Sequence, residues 1–462
     1  MKVMLVQPNS ASIVKTVLGT TGLPLGLAYL GSVLRAEHEV CIIDGLTLNY
    51  GAEELKRELK KHEPDVVGIT ATTPTIYDAY EVAGLAKEFN PDIKTVIGGP
   101  HVTFTAKETL EECPALDVVV RNEGELTAKE LLDAFENGTP VKNIRGINFR
   151  QGGEIKETAN RPFIKNLDEI PFPAYDLLPM SEYKLGNHRY GMMMTSRGCP
   201  FNCIFCASST LCGKIWRARS AENVIEELRM LNTEFGVAEI EFMDDTFTLS
   251  KRRAEEICDL MIKEGNSGGM DISWSGSAHA NTINRELAEK LKKAGCHNVY
   301  IGAESGSQKV LDFIGKSTTL ERVSKAVETV KKAGLNVLTS FIIGVPGETV
   351  RMIKDTIKFA EKLNPTYAQF TICTPYPGTR LFALAKEKGL LITRDWRRYT
   401  TVEPIMNIPG ISTEQLRKLF NRAYISFYLR PRYVLSGLIN RRFFLSKKVF
   451  YGALDYYRAL KV

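Results

Sequence analysis

Apolar and polar positions alternate with two different periods along the first 140 residues. Short, nearly uninterrupted β-branched runs occupy 2–8, 39–44, 65–71, 94–99 and 116–121. Between them, 25–35, 52–62 and 76–89 carry apolar residues at helical spacing, and 105–111 is a shorter helical piece. A strand that is apolar at consecutive positions is covered on both faces. The pattern therefore predicts a parallel sheet with helices on either side, a doubly wound fold. Five strands match the flavodoxin-like variant, in which a ligand sits beyond the carboxyl ends of the strands.

A hairpin follows, 143–150 and 154–158, turned at Gly152-Gly153. Residues 166–179 hold three prolines and no periodicity, which reads as an inter-domain linker. Strand–helix alternation then restarts. Strands are predicted at 192–196, 239–243, 271–277, 298–303, 336–343 and 368–373, with helices starting near 221, 252, 285, 320 and 349. Six units in about 185 residues are too few for a closed eight-stranded barrel of about 250 residues, so an open, partial (β/α)6 barrel is expected. In such barrels the chemistry sits on loops at the carboxyl ends of the strands. The predicted divisions are 1–140, a hairpin and linker at 141–188, the barrel at 189–390 and a helical tail at 391–462.

Composition adds little until the tail. At 44% hydrophobic and 25% charged residues the chain reads as globular. No stretch approaches the roughly 20 apolar residues of a membrane span, and the short N-terminal run ends at Pro8, so a cytoplasmic protein is expected. From Ile411 onward, eleven basic residues face two acidic ones, a net +9, while the rest of the chain carries −3. Tyrosines and phenylalanines are interleaved with these charges. That mixture suits an amphipathic helix on an anionic membrane surface, nucleic-acid phosphates with stacked bases, or a helical lid packed on the barrel.

Nine cysteines in such a chain argue for metal ligation or core thiols rather than disulfides. Cys41, Cys113, Cys212, Cys258, Cys296 and Cys373 stand alone and read as small buried hydrophobes. Cys199, Cys203 and Cys206 do not. Three thiolates within eight residues, directly after a predicted strand, converge on one soft metal centre and supply one ligand fewer than a closed Cys₄ site. Zinc, with Cys212 as a fourth ligand, is the alternative, but it ordinarily uses two separated pairs.

Cys199-x₃-Cys203-x₂-Cys206 at the end of the first barrel strand resembles the signature of the radical S-adenosylmethionine (SAM) superfamily. The resemblance implies a [4Fe–4S] cluster held by these three cysteines, with SAM chelating the fourth iron and yielding a 5′-deoxyadenosyl radical on reduction. It further implies that Asp244 and Asp245, closing strand two, lie where the SAM amino group binds. Glu304 and Ser305 close strand four near the ribose, and Gly344 closes strand five beside the adenine. As bare residues, these could equally be helix caps, structural pairs and turns. Ser220 reads as the N-cap of the first barrel helix, and Arg217 and Arg219 either reach the SAM carboxylate or are solvated.

A doubly wound domain ahead of such a barrel resembles the cobalamin-binding radical SAM enzymes. The resemblance implies that Gly98-Gly99 admits the nucleotide tail of cobalamin and that Thr70, Thr72 and Thr73 contact it. Many cobalamin proteins carry Asp-x-His-x-x-Gly, but here Asp44-Gly-Leu46 has leucine where the histidine would be. Cobalamin is therefore expected without a histidine beneath cobalt. His101, after the glycine pair, reads as a turn residue touching solvent or as a ligand.

The function implied is methyl transfer to an unactivated carbon. SAM would serve as both radical source and methyl supply, with an external electron donor such as flavodoxin or ferredoxin. The substrate would be a small molecule, with lipid, isoprenoid or tetrapyrrole favoured if the tail touches a membrane. A cobalamin-assisted oxidation or ring closure of the anaerobic tetrapyrrole cyclase type is the alternative. A transfer-RNA methylthiotransferase fits poorly, because residues 1–140 hold only Cys41 and Cys113 and the tail reads as helical. A SAM or cobalamin sensor would not need an open cluster.

Overall fold

The computed structural model describes residues 1–10, 21–431 and 433–435. Strands β1 Lys2–Gln7, β2 Glu39–Asp44, β3 Val66–Thr70, β4 Lys94–Gly98 and β5 Val118–Val120 form a parallel sheet in the order 2-1-3-4-5. Their continuous apolar runs are buried, with Val6, Val67 and Ile97 fully enclosed. The hairpin β6 Ile147–Gln151 and β7 Glu154–Glu157 extends this sheet, β6 pairing antiparallel with β5. The helix Glu125–Glu136, hidden in the sequence behind an acidic and glycine-bearing stretch, covers the sheet with Leu131 and Leu132.

The second sheet is seven-stranded, in the order β16-β15-β14-β13-β12-β9-β8. Here β8 is Lys184–Leu185, β9 His188–Met193, β12 Val237–Phe242, β13 Ser273–Ala278, β14 Cys296–Glu304, β15 Asn336–Ile343 and β16 Tyr367–Ile372. All pair in parallel except β8, which folds back on β9, so six parallel strands curve into an open barrel. The helices over it each begin at a side-chain cap. Ser220, Ser250, Asn284, Thr319 and Thr349 accept from the backbone N–H three residues on, fixing where each helix leaves its loop.

Two segments depart from expectation. The first barrel strand ends at Met193 instead of running to residue 196. Beyond it, Ser196–Arg197 (β10) pairs antiparallel with Arg217–Ala218 (β11), because Asp244 captures Thr195 and Ser196 and turns the chain away. The proline-rich stretch is packed. Tyr175 is 1% exposed, donates to Glu227 and to the Met192 carbonyl, and belongs with Leu178 and Tyr183 to a core continuous with both sheets.

Over the residues described, the tail packs as the lid reading expects. The helix Thr413–Tyr428 lies beside the barrel with Leu416, Leu419, Phe420 and Phe427 buried. Its tyrosines cap the open edge of the sheet. Tyr424 Oη accepts from Phe370 N and donates to Phe370 O, Tyr428 Oη does the same at Ala368, and Tyr433 Oη donates to Thr366 O. An edge strand otherwise offers a row of unpaired N–H and C=O groups to other chains, and the helix closes that row. Arg432 and the basic residues from Arg441 on lie outside the described residues. Among the described residues no helix is long and apolar enough to cross a membrane.

Candidate radical site

The cysteine loop is braced at both ends. Asp244, just past β12, accepts from Thr195 N (2.6 Å), Thr195 Oγ1 (2.6 Å) and Ser196 Oγ (2.5 Å). Arg253 donates to the Thr195 carbonyl and to the Arg219 carbonyl from the other side. Gly198 turns the chain with φ +91°, and a Cβ there would strike the Ile215 carbonyl, so only glycine serves. Further on, Ile204 N donates to Ile314 O and Ile204 O accepts from Leu381 N, tying the loop to the segments after β14 and β16.

Cys199, Cys203 and Cys206 are half-buried, whereas Cys113, Cys258, Cys296 and Cys373 are enclosed. Burial pushes the Cys203 thiol up to about 11, against the pull of the Lys316 ammonium, and raises Cys199 as well. The three sulfurs act electrostatically on one another, yet they do not all lie within 4.8 Å, a spacing met among the described residues by Glu37, His38 and Asp133. Two sulfurs on one zinc, at about 2.3 Å each, cannot stand more than about 4.6 Å apart.

Around the loop stand groups the sequence did not single out. Lys316 pairs with Glu304 at 2.8 Å, both side chains largely buried. Burial opposes the lysine's charge, but Glu304 and the nearby thiols outweigh it and its pKa rises. Glu304 holds φ +60°, a left-handed conformation that costs a non-glycine residue about 1–3 kcal/mol. Gly302 makes room, since a Cβ there would run into both partners of the pair. His279 stacks on Phe201 of the loop with ring centres 4.2 Å apart, and its Nδ1 accepts from Asn281 N. Burial, then Lys316, lowers it to about 4, so it is neutral, and its buried Nε2 has no partner. Lys316 and His279 lie in non-periodic stretches, where residue type alone gives no signal.

The residues marked in the sequence take different parts. Asp244 is fully engaged as a brace, while Asp245 is exposed at the mouth. Ser305 is enclosed, bonded to Thr356 and accepting from Ser307 N. Gly344, with φ +79°, donates with Val345 to Glu348 Oε2. Burial pushes Glu348 up to about 7. Ser220 is the N-cap as expected. Arg217 and Arg219 are neither solvated nor free, being buried against Glu123 and Glu227.

The carboxyl ends of the two sheets face each other. Glu123 and Glu125, after β5, bind Arg197 at 3.1 and 2.6 Å, two residues before Cys199. Leu23 N donates to Met192 Sδ, and the Phe104 ring fills the space over Gly378, past β16. At this end of the first sheet Gly99 holds φ +109°, and a Cβ would come within 2.7 Å of Ala71 O, so the loops after β3 and β4 touch backbone to backbone. Thr70 is half-buried, Thr72 exposed and Thr73 buried. His101 is not a solvent-touching turn residue. It is 1% exposed, bonded to Thr73 Oγ1, packed edge-on against Trp396 and lowered to about 4 by burial. Asp44 accepts from Thr47 and from Tyr183, and Leu46 stands two residues on. A corrinoid on this face would have the exposed Thr72 and the glycine backbone to border it, while His101 is buried against Thr73 and Trp396.

Residues 193–360 match the family model described as the radical SAM superfamily, and residues 11–132 match the B12 binding domain. The chain is 52% identical over 460 residues to a protein of Pyrococcus horikoshii described as an uncharacterized methyltransferase, with 99% of each chain covered. It belongs to the cobalamin-binding radical SAM enzymes. Another such relative is the anaerobic magnesium-protoporphyrin IX monomethyl ester cyclase of Rubrivivax gelatinosus, 30% identical over 447 residues, 94% of this chain and 78% of that one. The solved structure of OxsB, a cobalamin-dependent SAM radical enzyme with aqua-cobalamin and SAM bound, superposes with a TM-score of 0.76 at 19% identity, over 97% of this chain and 71% of that one. The cofactors of this radical SAM enzyme are a [4Fe–4S] cluster, SAM and cobalamin, and its methyltransferase relatives set its class.

Proposed function

We propose that the protein methylates an unactivated carbon of a small-molecule substrate. The observation that carries the reading is the buried Arg197–Glu125 contact, which sets the cysteine loop against the carboxyl end of the cobalamin-binding sheet. A carbon activated at the cysteine loop would then have the cobalamin-binding face nearby. When bound, the cluster supplies an electron, SAM the hydrogen-abstracting radical and a methyl group, and cobalamin the transfer of that methyl.

The residues hold and orient. Cys199, Cys203 and Cys206 would ligate three irons, on a loop that Asp244 and Arg253 keep in place. Asp245 at the mouth and Glu304 at the end of β14, beside Lys316, would meet the amino and ribose groups of SAM, and the Gly344–Val345 turn that Glu348 holds would border the adenine. Ser305 acts through Thr356, as a brace. Thr70, Thr72, Thr73, Gly98 and Gly99 would border the cobalamin tail.

The test is anaerobic reconstitution with iron, sulfide and cobalamin, followed by quantification of 5′-deoxyadenosine, S-adenosylhomocysteine and methylated product. The 30% identity to a ring-forming cyclase supports a second reading, oxidative cyclisation. That reaction would give 5′-deoxyadenosine without S-adenosylhomocysteine.

A further inference from the structure

We infer that the inside of the barrel binds a protonated amine of the substrate against Glu241, so that the methyl acceptor is an ammonium compound and not a hydrocarbon. The inference rests on the methyl-transfer reading above and names its substrate class.

The inward face of the strands is identified by its own contacts. Tyr190 on β9 donates to the Glu241 carboxylate on β12, and Tyr300 on β14 donates to Ser275 Oγ on β13 at 3.2 Å. Strand register places Glu241 beside Ser275 and Ser275 beside Asn298. Ile240 and Trp274, the alternate residues, are enclosed under the helices on the other face. Inside, Glu241, Tyr300 and Ser340 are half-buried and Gln369 is exposed, so the chamber is open to small molecules.

Donors and acceptors there do not balance. The phenol protons of Tyr190 and Tyr300 are engaged, and burial, then the charge of Glu241, holds both phenols protonated. Asn298 is 8% exposed, and its Oδ1 has no partner. No lysine or arginine stands at an inward position of the six parallel strands. Of the other inward carboxylates, Glu304 has Lys316 and Glu239 has His297 at 2.5 Å. Glu241 has no cation within ion-pair distance among the described residues. A buried acceptor and an uncompensated carboxylate call for a ligand that brings positive charge and N–H donors. Two tyrosine rings at the same place favour a cation further. A hydrocarbon would strip water from the carboxylate and return nothing, and an anion would be repelled.

Glu241 lies within β12, which ends at Phe242, whereas Asp245 stands in the loop beyond it, so the anchored nitrogen and the reacting carbon are separate atoms of the ligand. Glu241 anchors and takes no part in making or breaking bonds.

Two measurements test this on the full chain. In the first, ligand-observed saturation-transfer NMR probes hexylammonium and hexanoate. Hexylammonium should show saturation that disappears in Glu241→Gln, and hexanoate should show none. Equal signals from the two probes, or an unchanged signal in the variant, would overturn the inference whatever the enzyme's reaction proves to be. In the second, the reconstituted enzyme receives SAM with a deuterated methyl group and a small-molecule extract of its host cell. A trideuteromethylated species other than SAM and methionine, resolved by mass spectrometry, should appear in the fraction retained on a cation exchanger and fall at least tenfold in Glu241→Gln, with cluster absorbance unchanged. Label in the organic-solvent fraction would refute the amine. Absence of both label and 5′-deoxyadenosine from the wild-type reaction would instead count against the methyl-transfer reading, leaving the NMR result to decide the amine.

Discussion

Arg197 Nη2 lies 2.6 Å from Glu125 Oε1, with both side chains more than nine-tenths buried, and this contact joins the segment entering the cysteine loop to the first helix after β5. Arg197 also binds Glu123, which in turn holds Arg217 and Ile164 N, and its guanidinium packs over the Tyr29 ring. The two domains thus share one charged network at the place where their cofactors would meet. Breaking a buried pair strands the remaining charge, at about 3–5 kcal/mol. Arg197→Met should lower stability by that order in denaturant titration and reduce the iron retained per chain. Glu125→Gln, which keeps a hydrogen bond, should be milder in both. An Arg197→Met protein with wild-type stability would show that the network is not structural.

Alanine at Cys199, Cys203 and Cys206 together should abolish the brown chromophore and SAM cleavage. The loop is held by Asp244, Arg253 and backbone bonds to Ile314 and Leu381, none of which needs the thiols. Circular dichroism should therefore be close to wild type. Iron and sulfide retained at wild-type level in the triple variant would refute the assignment.

Much of this was legible in the sequence, because each barrel helix over the sheet starts at a Ser, Thr or Asn and the strands of the first sheet are nearly continuous apolar runs. Partners were not legible. Arg217 and Arg219 are ordinary charged residues until Glu123, 94 residues earlier, and Glu227 on the following helix close on them. Asp244 and Asp245 look alike in sequence, but one points back under the loop and the other out at the mouth. The tail left three readings open, because whether its tyrosines meet a membrane, stacked bases or the barrel depends on a strand edge that only the fold creates.

Hydroxocobalamin mixed with the purified protein should remain bound after desalting, in a roughly stoichiometric coloured complex. Leu46 replaces the usual histidine, and His101 is turned inward to Thr73 and Trp396. Labelling the protein's histidines with 15N should therefore leave the Co(II) EPR spectrum unchanged. Loss of all colour on desalting, or a splitting that changes with 15N-histidine, would contradict this description of the first domain.

Glu348 gives a pH test. Burial raises its folded pKa from 4.5 to about 7, so between those values the folded state binds more protons than the unfolded one. Stability must then fall as pH rises through that window, by about 3 kcal/mol over a shift of roughly 2.5 units. Glu348→Gln keeps an oxygen for Gly344 N and Val345 N but cannot ionise. Its stability relative to wild type should climb by about that amount between pH 4.5 and 8 in denaturant titrations. Parallel pH profiles for the two proteins would mean that Glu348 ionises normally.

The tyrosine edge decides what the tail does. Tyr428 Oη satisfies both Ala368 N and Ala368 O, and Tyr424 Oη both groups of Phe370, at 2.9–3.2 Å. Removing one hydroxyl leaves two backbone groups of an edge strand facing a ring, at about 1–3 kcal/mol for each buried group left unpaired. Tyr428→Phe should therefore lower stability measurably, and Tyr424→Phe with Tyr428→Phe should lower it further. With its row of N–H and C=O groups reopened, β16 should also make the double variant prone to self-association at high concentration, visible by light scattering. Deleting residues 413–462 should be worse, because it uncovers Phe341 and Phe370, which stack on each other beneath the helix. A membrane-anchoring tail predicts the contrary pattern: flotation with anionic vesicles lost on truncation, and thermal stability untouched. Unchanged melting of the double tyrosine variant would overturn the edge-capping role.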